Sequence, residues 1–405
     1  MELLEIGIID DTIPLQKAID YANKYNKKVQ LLNKTYLITN SIVLNGCSLE
    51  GVIGNIFKET GSVIKCATNN FIAIKQGELT TDKIMFTLKN ILVINANIGY
   101  EINYAINSKF ENLYASNCDI GFKLGDKNAV GSMFCEFNNL YTSDCRVGIE
   151  SYSKEYFNNN RFNNGFIAGE EYAMKLQVDG GYGAVDNVFN NVEFRSLKGR
   201  GILLTSTWNT IFNSCYFECG GNAVRMTNTN KIALNENIYG SFKILNTNGD
   251  ENIIYTEGGG NITINDGIVY LTQEHENIYF YNSGNPATHQ NIRVTRAIQK
   301  NGTATGFNFF SQNVKEVQYT TEESVTLTGT VTLEPGVYTE VPFTYAKEFS
   351  TIPNVTLPVI RGANGIVKNV TYLVSERLKT GGKLSVYNGN SSAVSVSFSI
   401  YSKIV

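Results

Sequence analysis

Two glutamates and an arginine stand out as a set able to do acid–base chemistry. Glu193 and Arg195 lie two and four residues past Asn191, and Glu218 lies four past Ser214. Asn191 and Ser214 are the third positions of two matching hexapeptides, FNNVEF (189–194) and FNSCYF (212–217). If such hexapeptides stack, the three side chains share one outward patch, with the glutamates one coil apart and displaced along the strand. Their backbones then stand about 8 Å apart. Two carboxyl groups cleave a glycosidic bond at a separation of about 5–5.5 Å with retention or about 6.5–9.5 Å with inversion, and the expected spacing admits either. A base beside a cation would instead suit eliminative lysis. Asp179 and Asp186, on the Gly-rich segment VDGGYGAVD (178–186), can lean over the same face. The bland reading is a surface salt bridge from Arg195 to either glutamate at a protomer contact.

Beside this patch runs an aromatic row, Tyr114, Tyr141 and Phe166, interrupted by Glu193 and resumed at Tyr216. Sugar rings stack on exposed aromatics, but a protomer contact buries them equally well. Trp208, beside Asn209 at the start of a coil, suits a bend or a sugar. Other chemistries lack their parts. The two histidines, His275 and His289, have no GxSxG or comparable serine element to serve. P-loops, GxGxxG turns and metal-ligand spacings are absent, so no cofactor and no metal is expected.

What must position these residues is a repeat. LKNILV (88–93), FENLYA (110–115), FNNLYT (137–142) and FNNGFI (162–167) precede the two hexapeptides above. Their third positions are Asn90, Asn112, Asn139, Asn164, Asn191 and Ser214, in steps of 22, 27, 25, 27 and 23. Gly99, Gly121, Gly148, Ala173 and Ala223 each lie nine residues past a landmark, and Gly201 lies ten past. The period allows leucine-rich repeats or a parallel β-helix. Alternation of two in Phe, Tyr, Ile and Val favours strands, three short ones per coil. Asparagine tolerates the left-handed bend, and stacked asparagines can hydrogen-bond at the inter-strand spacing. Of the chain's 50 asparagines, 42 precede residue 300, which this corner role explains.

Parity then assigns faces. Leu113, Ala115, Leu140, Thr142, Val192, Phe194, Cys215 and Phe217 point inward, as do Phe122, Ile149, Met174, Ile202 and Val224. Glu101, Lys123, Glu150 and Lys175 point outward with alternating sign, a stabilising ladder. Cys118 and Cys145 are equivalent and predict a stacked pair. All seven cysteines read as buried, reduced thiols.

Residues 10–28 read as a helix capped by Asp11 or Thr12, with Leu15, Ile19 and Ala22 as its apolar stripe. It suits a plug over the first coil. Past position 230 the signals NIIY (252–255), NITI (261–264), NIYF (277–280) and NIRV (291–294) recur too closely for full coils. That spacing reads as shorter turns or a narrowing stalk. From EVQY (316–319) onward, alternating segments separated by Gly, Pro and Asn turns predict an antiparallel β-sandwich of seven or eight strands. The expected organisation is a cap over 1–52, a parallel β-helix over 53–300, a junction over 301–315 and a sandwich over 316–405.

The stretch Gly7-Ile8-Ile9-Asp10-Asp11-Thr12, followed by Leu15-Gln16, Ala18-Ile19-Asp20 and Ala22, then Val29-x-Leu31 and Thr35-Tyr36-Leu37-Ile38, resembles the start of pectate-lyase-superfamily β-helix proteins common as bacteriophage tailspikes. Asn26-Lys27-Lys28 and Leu32-Asn33-Lys34 replace the glycine pair and Pro-x-Gly of that pattern. The resemblance covers 7–52 by motif and about 53–230 by repeat character. It implies an all-β, right-handed, single-stranded parallel β-helix (pectin-lyase-like) with a capping helix and a C-terminal sandwich that trimerises or binds sugar. It implies a homotrimeric phage tailspike that recognises, and often depolymerises, bacterial surface polysaccharide, attached to a tail or baseplate protein. The NxD, DD, GHG and RxK patterns of pectin-hydrolysing relatives are absent as a set, and Asp10-Asp11 belongs to the cap. The rivals are a non-enzymatic glycan adhesin and a structural tail-fibre component.

Composition bounds the rest. Charged residues are 18% and net charge is −3, without the basic excess of a nucleic-acid binder. No apolar run is long enough to predict membrane insertion, and the stretch from Met1 to Asp20 lacks a signal-peptide pattern. The expected life history is synthesis in the host cytoplasm and action at the bacterial surface as part of the virion.

Overall fold

The computed structural model describes residues 9–403 except 56–57, 77–84, 126–130, 154–155, 179–182, 197, 228, 230–231, 241–251, 258–261, 272–277, 284–290, 295–297, 303–306, 311–315, 320–323, 345–353, 363–364, 367–369 and 379. The chain divides into two compact units. One comprises Met1–Val294 with Ile298–Gln318, the other Thr295–Ala297 with Tyr319–Val405.

The first unit is a parallel β-solenoid of about 7 turns. Each turn repeats one local pattern. In the turn containing Asn139, a strand Glu136–Asn138 bends into Tyr141–Ser143 and then into Val147–Ser153. The bend is the landmark residue in the left-handed region: Asn90, Asn112, Asn139, Asn164, Asn191 and Ser214 all have φ between 49° and 57°. Their amides hydrogen-bond along the stack. Asn112 Nδ2 donates to Asn90 Oδ1 at 2.8 Å, Asn139 to Asn112 at 2.9 Å, and Asn191 to Asn164 at 2.9 Å. A second amide ladder runs one residue earlier, Asn235 to Asn213 to Asn190 to Asn163 to Asn138, at 2.7–2.9 Å.

Two further corners lie five residues to either side of the first. Asn95, Asn117 and Asp144 form one, and Asn107, Phe134, Asn159, Asp186 and Asn209 the other, all with positive φ. Phe134 is the odd member. A bulky residue there costs about 1–2 kcal/mol relative to ordinary backbone, and it is 52% exposed.

The predicted inward residues are buried, including Leu113, Thr142, Phe194, Cys215 and Phe217. Phenylalanines stack through the core: Phe110, Phe137, Phe162, Phe189 and Phe212 have ring centroids 4.4–4.9 Å apart and nearly parallel planes. Each such pair adds about 0.5–1.5 kcal/mol beyond area burial. The recurring small residue permits close packing: a Cβ on Gly121 would lie 2.6 Å from the Thr142 methyl and 2.7 Å from the Gly148 carbonyl oxygen. Glu101, Lys123, Glu150 and Lys175 pair in register. Glu101 departs from the expected exposure: it is buried, with Lys123 Nζ at 3.2 Å and Lys75 Nζ at 3.8 Å. All seven cysteines are free and buried; the Cys118 thiol donates to Ser116 O at 3.4 Å and the Cys145 thiol to Ser143 O at 3.3 Å.

The capping helix runs Thr12–Lys24 and buries Leu15, Ile19 and Ala22. It is shorter than the expected 10–28, because Asn26 takes φ 51° and turns the chain out of the helix. Neither Asp11 nor Thr12 caps it through its side chain. Asp10 does, with Oδ1 accepting from Thr12 N at 2.9 Å. Asp11 and Thr12 instead satisfy the neighbouring strand, accepting from Leu37 N at 3.2 Å and Thr39 N at 2.8 Å. Gln16 behaves as a piece of strand: Nε2 donates to Val43 O at 2.9 Å, and Oε1 accepts from Val43 N at 2.8 Å. This closes backbone valences that an open solenoid end would leave exposed.

The narrowing stalk is not observed. Asn252–Thr256 and Ile278–Ser283 belong to one sheet, Ile262–Leu271 and Asn291–Val294 to the other, so the short spacings of the recurring signal alternate between faces. Ile254 pairs with Val224 and Tyr281, and Ile262 with Ile232 and Ile292. Full turns therefore continue the solenoid through this region. Glu316–Tyr319, expected as the first sandwich strand, pairs in the long parallel sheet with Asn291–Val294.

The second unit holds two antiparallel sheets. Ser324–Leu333, Val394–Lys403, Asn354–Gly362 and Gly365–Ile366 form one, and Tyr338–Thr344, Gly381–Asn388 and Val370–Leu378 the other. Buried Asn388 ties a turn, its Nδ2 donating to Leu333 O at 2.9 Å and Ser392 O at 3.0 Å.

Candidate functional site

The strand Glu193–Ser196 lies between Phe166–Ala168 and Tyr216–Cys219, with Phe166, Glu193 and Tyr216 in one register and Ala168, Arg195 and Glu218 in the next. Phe194 is fully buried between them. A strand alternates, so burying Phe194 forces Glu193 and Arg195 to the outer face. The Asn191 corner fixes where the strand starts, and so fixes the height of both side chains.

A groove of about 470 Å³ runs along this face. Tyr114, Tyr141, Phe166, Glu193 and Tyr216 line it with the corner residues Asn139, Asn164, Asn191 and Ser214. Tyr141 and Phe166 stack at 4.7 Å, and Tyr114 tilts against Tyr141 at 5.8 Å. Glu193 stands where the next ring would be. The expected aromatic row and its interruption therefore line one groove. The repeat alone makes the corner asparagines bends; their recurrence two residues before each outward side chain is the signal that places them in the same lining.

The carboxyl groups differ in their electrostatics. Burial pushes the Glu193 carboxyl above its usual value, the Glu218 charge adds to this, and Arg195 opposes it. Arg195 Nε lies 3.1 Å from Glu218 Oε2, and the Glu218 side chain is 19% exposed. That contact is ionic, because Arg195 Nε is not aligned as a hydrogen-bond donor. Burial also raises the phenols of Tyr141 and Tyr216. Glu193, biased toward its neutral acid, thus lies in the groove, while Glu218 and Arg195 contact each other on the neighbouring register and do not line it.

Other expected site residues lie elsewhere. Asp186 occupies the corner five residues before Asn191, where Asn209 Nδ2 donates to its Oδ1, and it does not line the groove. Trp208, 51% exposed, pairs with Val185 beside that same corner. Asp179, His275 and His289 lie outside the described residues. Among the described residues no group of three or more His, Cys, Asp or Glu side chains could hold a metal ion. No helix among them is long and apolar enough to cross a membrane.

No family model matches the chain. It is 31% identical over 308 residues to the Mu-like prophage FluMu defective tail fiber protein of Haemophilus influenzae, covering 75% of this chain and 49% of that protein. The chain thus spans about half the length of the curated relative it matches. Its fold is similar to the tailspike protein gp49 of Pseudomonas phage LKA1, at 9% identity and a TM-score of 0.45 over 97% of this chain and 92% of the other. It is also similar to the mannuronan C-5 epimerase AlgE4 A-module of Azotobacter vinelandii, at 12% identity and a TM-score of 0.49 over 77% of this chain and 96% of the other.

Proposed function

We propose that this chain is a phage tail receptor-binding protein that lays a bacterial surface polysaccharide along the aromatic groove and hydrolyses it there. The observation that carries this reading is Glu193: a half-buried carboxyl, biased toward its protonated form, that takes a ring's place in a row of aromatic side chains. The tail-fibre relative supports the setting, a virion tail at the bacterial surface. A homotrimer docked on a tail or baseplate protein and made in the host cytoplasm completes the proposal.

In the proposed reaction, sugar rings rest on Tyr141, Phe166 and Tyr216. Glu193 donates its proton to the glycosidic oxygen as the bond from that oxygen to the anomeric carbon breaks. Glu218, in contact with Arg195, either takes a proton from the attacking water or attacks the anomeric carbon itself, with water releasing the sugar later. The net change is one water consumed and two hydroxyl-terminated chains formed. The test is the sizing of purified bacterial capsular or wall polysaccharide after incubation with wild type and with Glu193→Gln. Intact glycan with both proteins would defeat the hydrolytic reading.

A binding-only adhesin is the second reading. The Arg195–Glu218 ion pair favours it, because such a pair also stabilises an outer face that does no chemistry. Tight glycan binding without any change in glycan size would select it.

A further inference from the structure

Phe134 is anomalous twice. Its φ of 55° belongs to a corner that the neighbouring turns fill with Asn107, Asn159, Asp186 and Asn209. Its side chain is also largely exposed, so burial does not explain the choice. Three turns along the same edge stands a second exposed aromatic, Trp208. The register connects them: Phe134 N donates to Asn158 O, Asn159 N to Val185 O and Asp186 N to Trp208 O, at 2.8–3.1 Å. At one inter-strand step per turn the two residues stand about 14 Å apart. Between them the corner is occupied by Asn159 and Asp186.

Neither ring lines the groove that holds Glu193. We infer that Phe134 and Trp208 form a second carbohydrate-binding strip, separate from that groove, which stacks the apolar faces of two pyranose rings of one chain while the polar corner residues between them bond its hydroxyls. The chemistry argues for a sugar over a protein surface. A protein contact wants a continuous apolar patch, whereas these rings are separated by polar turns. A strained, exposed aromatic is retained when its ring, and not its backbone, is what matters. The inference rests on the glycan-binding reading above and adds to it a subsite that holds the chain without cleaving it.

The test uses the full chain. Wild type is screened on a microarray of defined bacterial capsular, O-antigen and wall saccharides, and the strongest binder is titrated by calorimetry against Phe134→Asn, Trp208→Ala and Tyr141→Ala. Phe134→Asn restores the residue type of the neighbouring corners, so it should fold and melt roughly 2–4 °C higher. The inference expects that same variant, and Trp208→Ala, to lose about tenfold or more in affinity. Unchanged affinity in both strip variants, with Tyr141→Ala impaired, overturns this inference alone. So does unchanged affinity accompanied by a smaller oligomer in light scattering, which would make the strip a protomer contact. Absence of any saccharide binding by wild type defeats both this inference and the reading it rests on.

Discussion

Arg195 stands directly across the ladder from Glu218, its Nε 3.1 Å from Oε2, while Glu193 sits one register away and is paired instead with Tyr216. The cation is thus committed to one glutamate, and the other is left half-buried beside rings. That division separates two residues of identical chemistry and underlies the first two predictions.

Replacing Glu193 with glutamine should lower glycan cleavage by about 10²–10⁴-fold, the usual share of general acid catalysis, and leave binding nearly intact. Glu218→Gln should do the same. Chromatographic sizing of the digested glycan, with calorimetry for affinity, checks both.

Stability should depend on pH through Glu193. Its folded-state value is raised from 4.5, so its contribution is fully present below that value and is lost as pH rises through the folded value. Thermal melts of Glu193→Gln should therefore gain on wild type as pH rises from about 4 toward 7. A constant difference across that range would mean the carboxyl is not biased toward its acid.

The corner asparagines should tolerate glycine better than alanine. Asn191→Ala loses left-handed tolerance and the bond to Asn164, together about 2–3 kcal/mol. Asn191→Gly loses mainly the bond, about 1 kcal/mol. Denaturant titration of both variants gives the order directly.

Gln16→Ala should fray the first turn at a cost of about 1–3 kcal/mol, by removing two hydrogen bonds from Val43. Hydrogen exchange at Val43 should accelerate, while exchange at Phe189 should not.

Native cysteines should be inert. Burial pushes the thiols of Cys66, Cys135 and Cys215 up to about 12, and a neutral thiol is a poor nucleophile. The neighbouring Cys145 thiol shifts Cys118 down, and there burial alone keeps reagents out. A thiol-reactive chromophore should titrate none of the seven before denaturation and all seven after.

The solenoid is legible in the sequence because its constraint is local and repeats. Only a few residue types accept a left-handed corner, so Asn112, Asn139 and Asn164 announce it. The same reasoning extends five residues either way, to Asn107, Asn159 and Asn209 and to Asn95 and Asn117, but a phenylalanine at one such corner and a serine in the main row obscure that period. The region past position 230 reads as a stalk because NIIY and NITI look alike while Ile254 and Ile262 lie on different sheets, a distinction that depends on hydrogen-bond partners a full turn away. Alternation around Phe194 puts Glu193 and Arg195 on one outer face. It cannot separate the roles of the two glutamates, because those depend on burial and on the side to which Arg195 leans. The capping role of Asp10 is hidden for a related reason: three adjacent polar residues could each cap, and the choice is made by strand groups at Leu37 and Thr39.

The column Phe110, Phe137, Phe162, Phe189 and Phe212 has one further consequence. Each ring meets its neighbours in nearly the same geometry, so a complete turn can be inserted or deleted with no new core contact to invent. Duplication of one turn's coding sequence would therefore lengthen the outer groove by a fixed step while the capping helix stayed as it is. The reach of the groove can evolve separately from the stability of its scaffold.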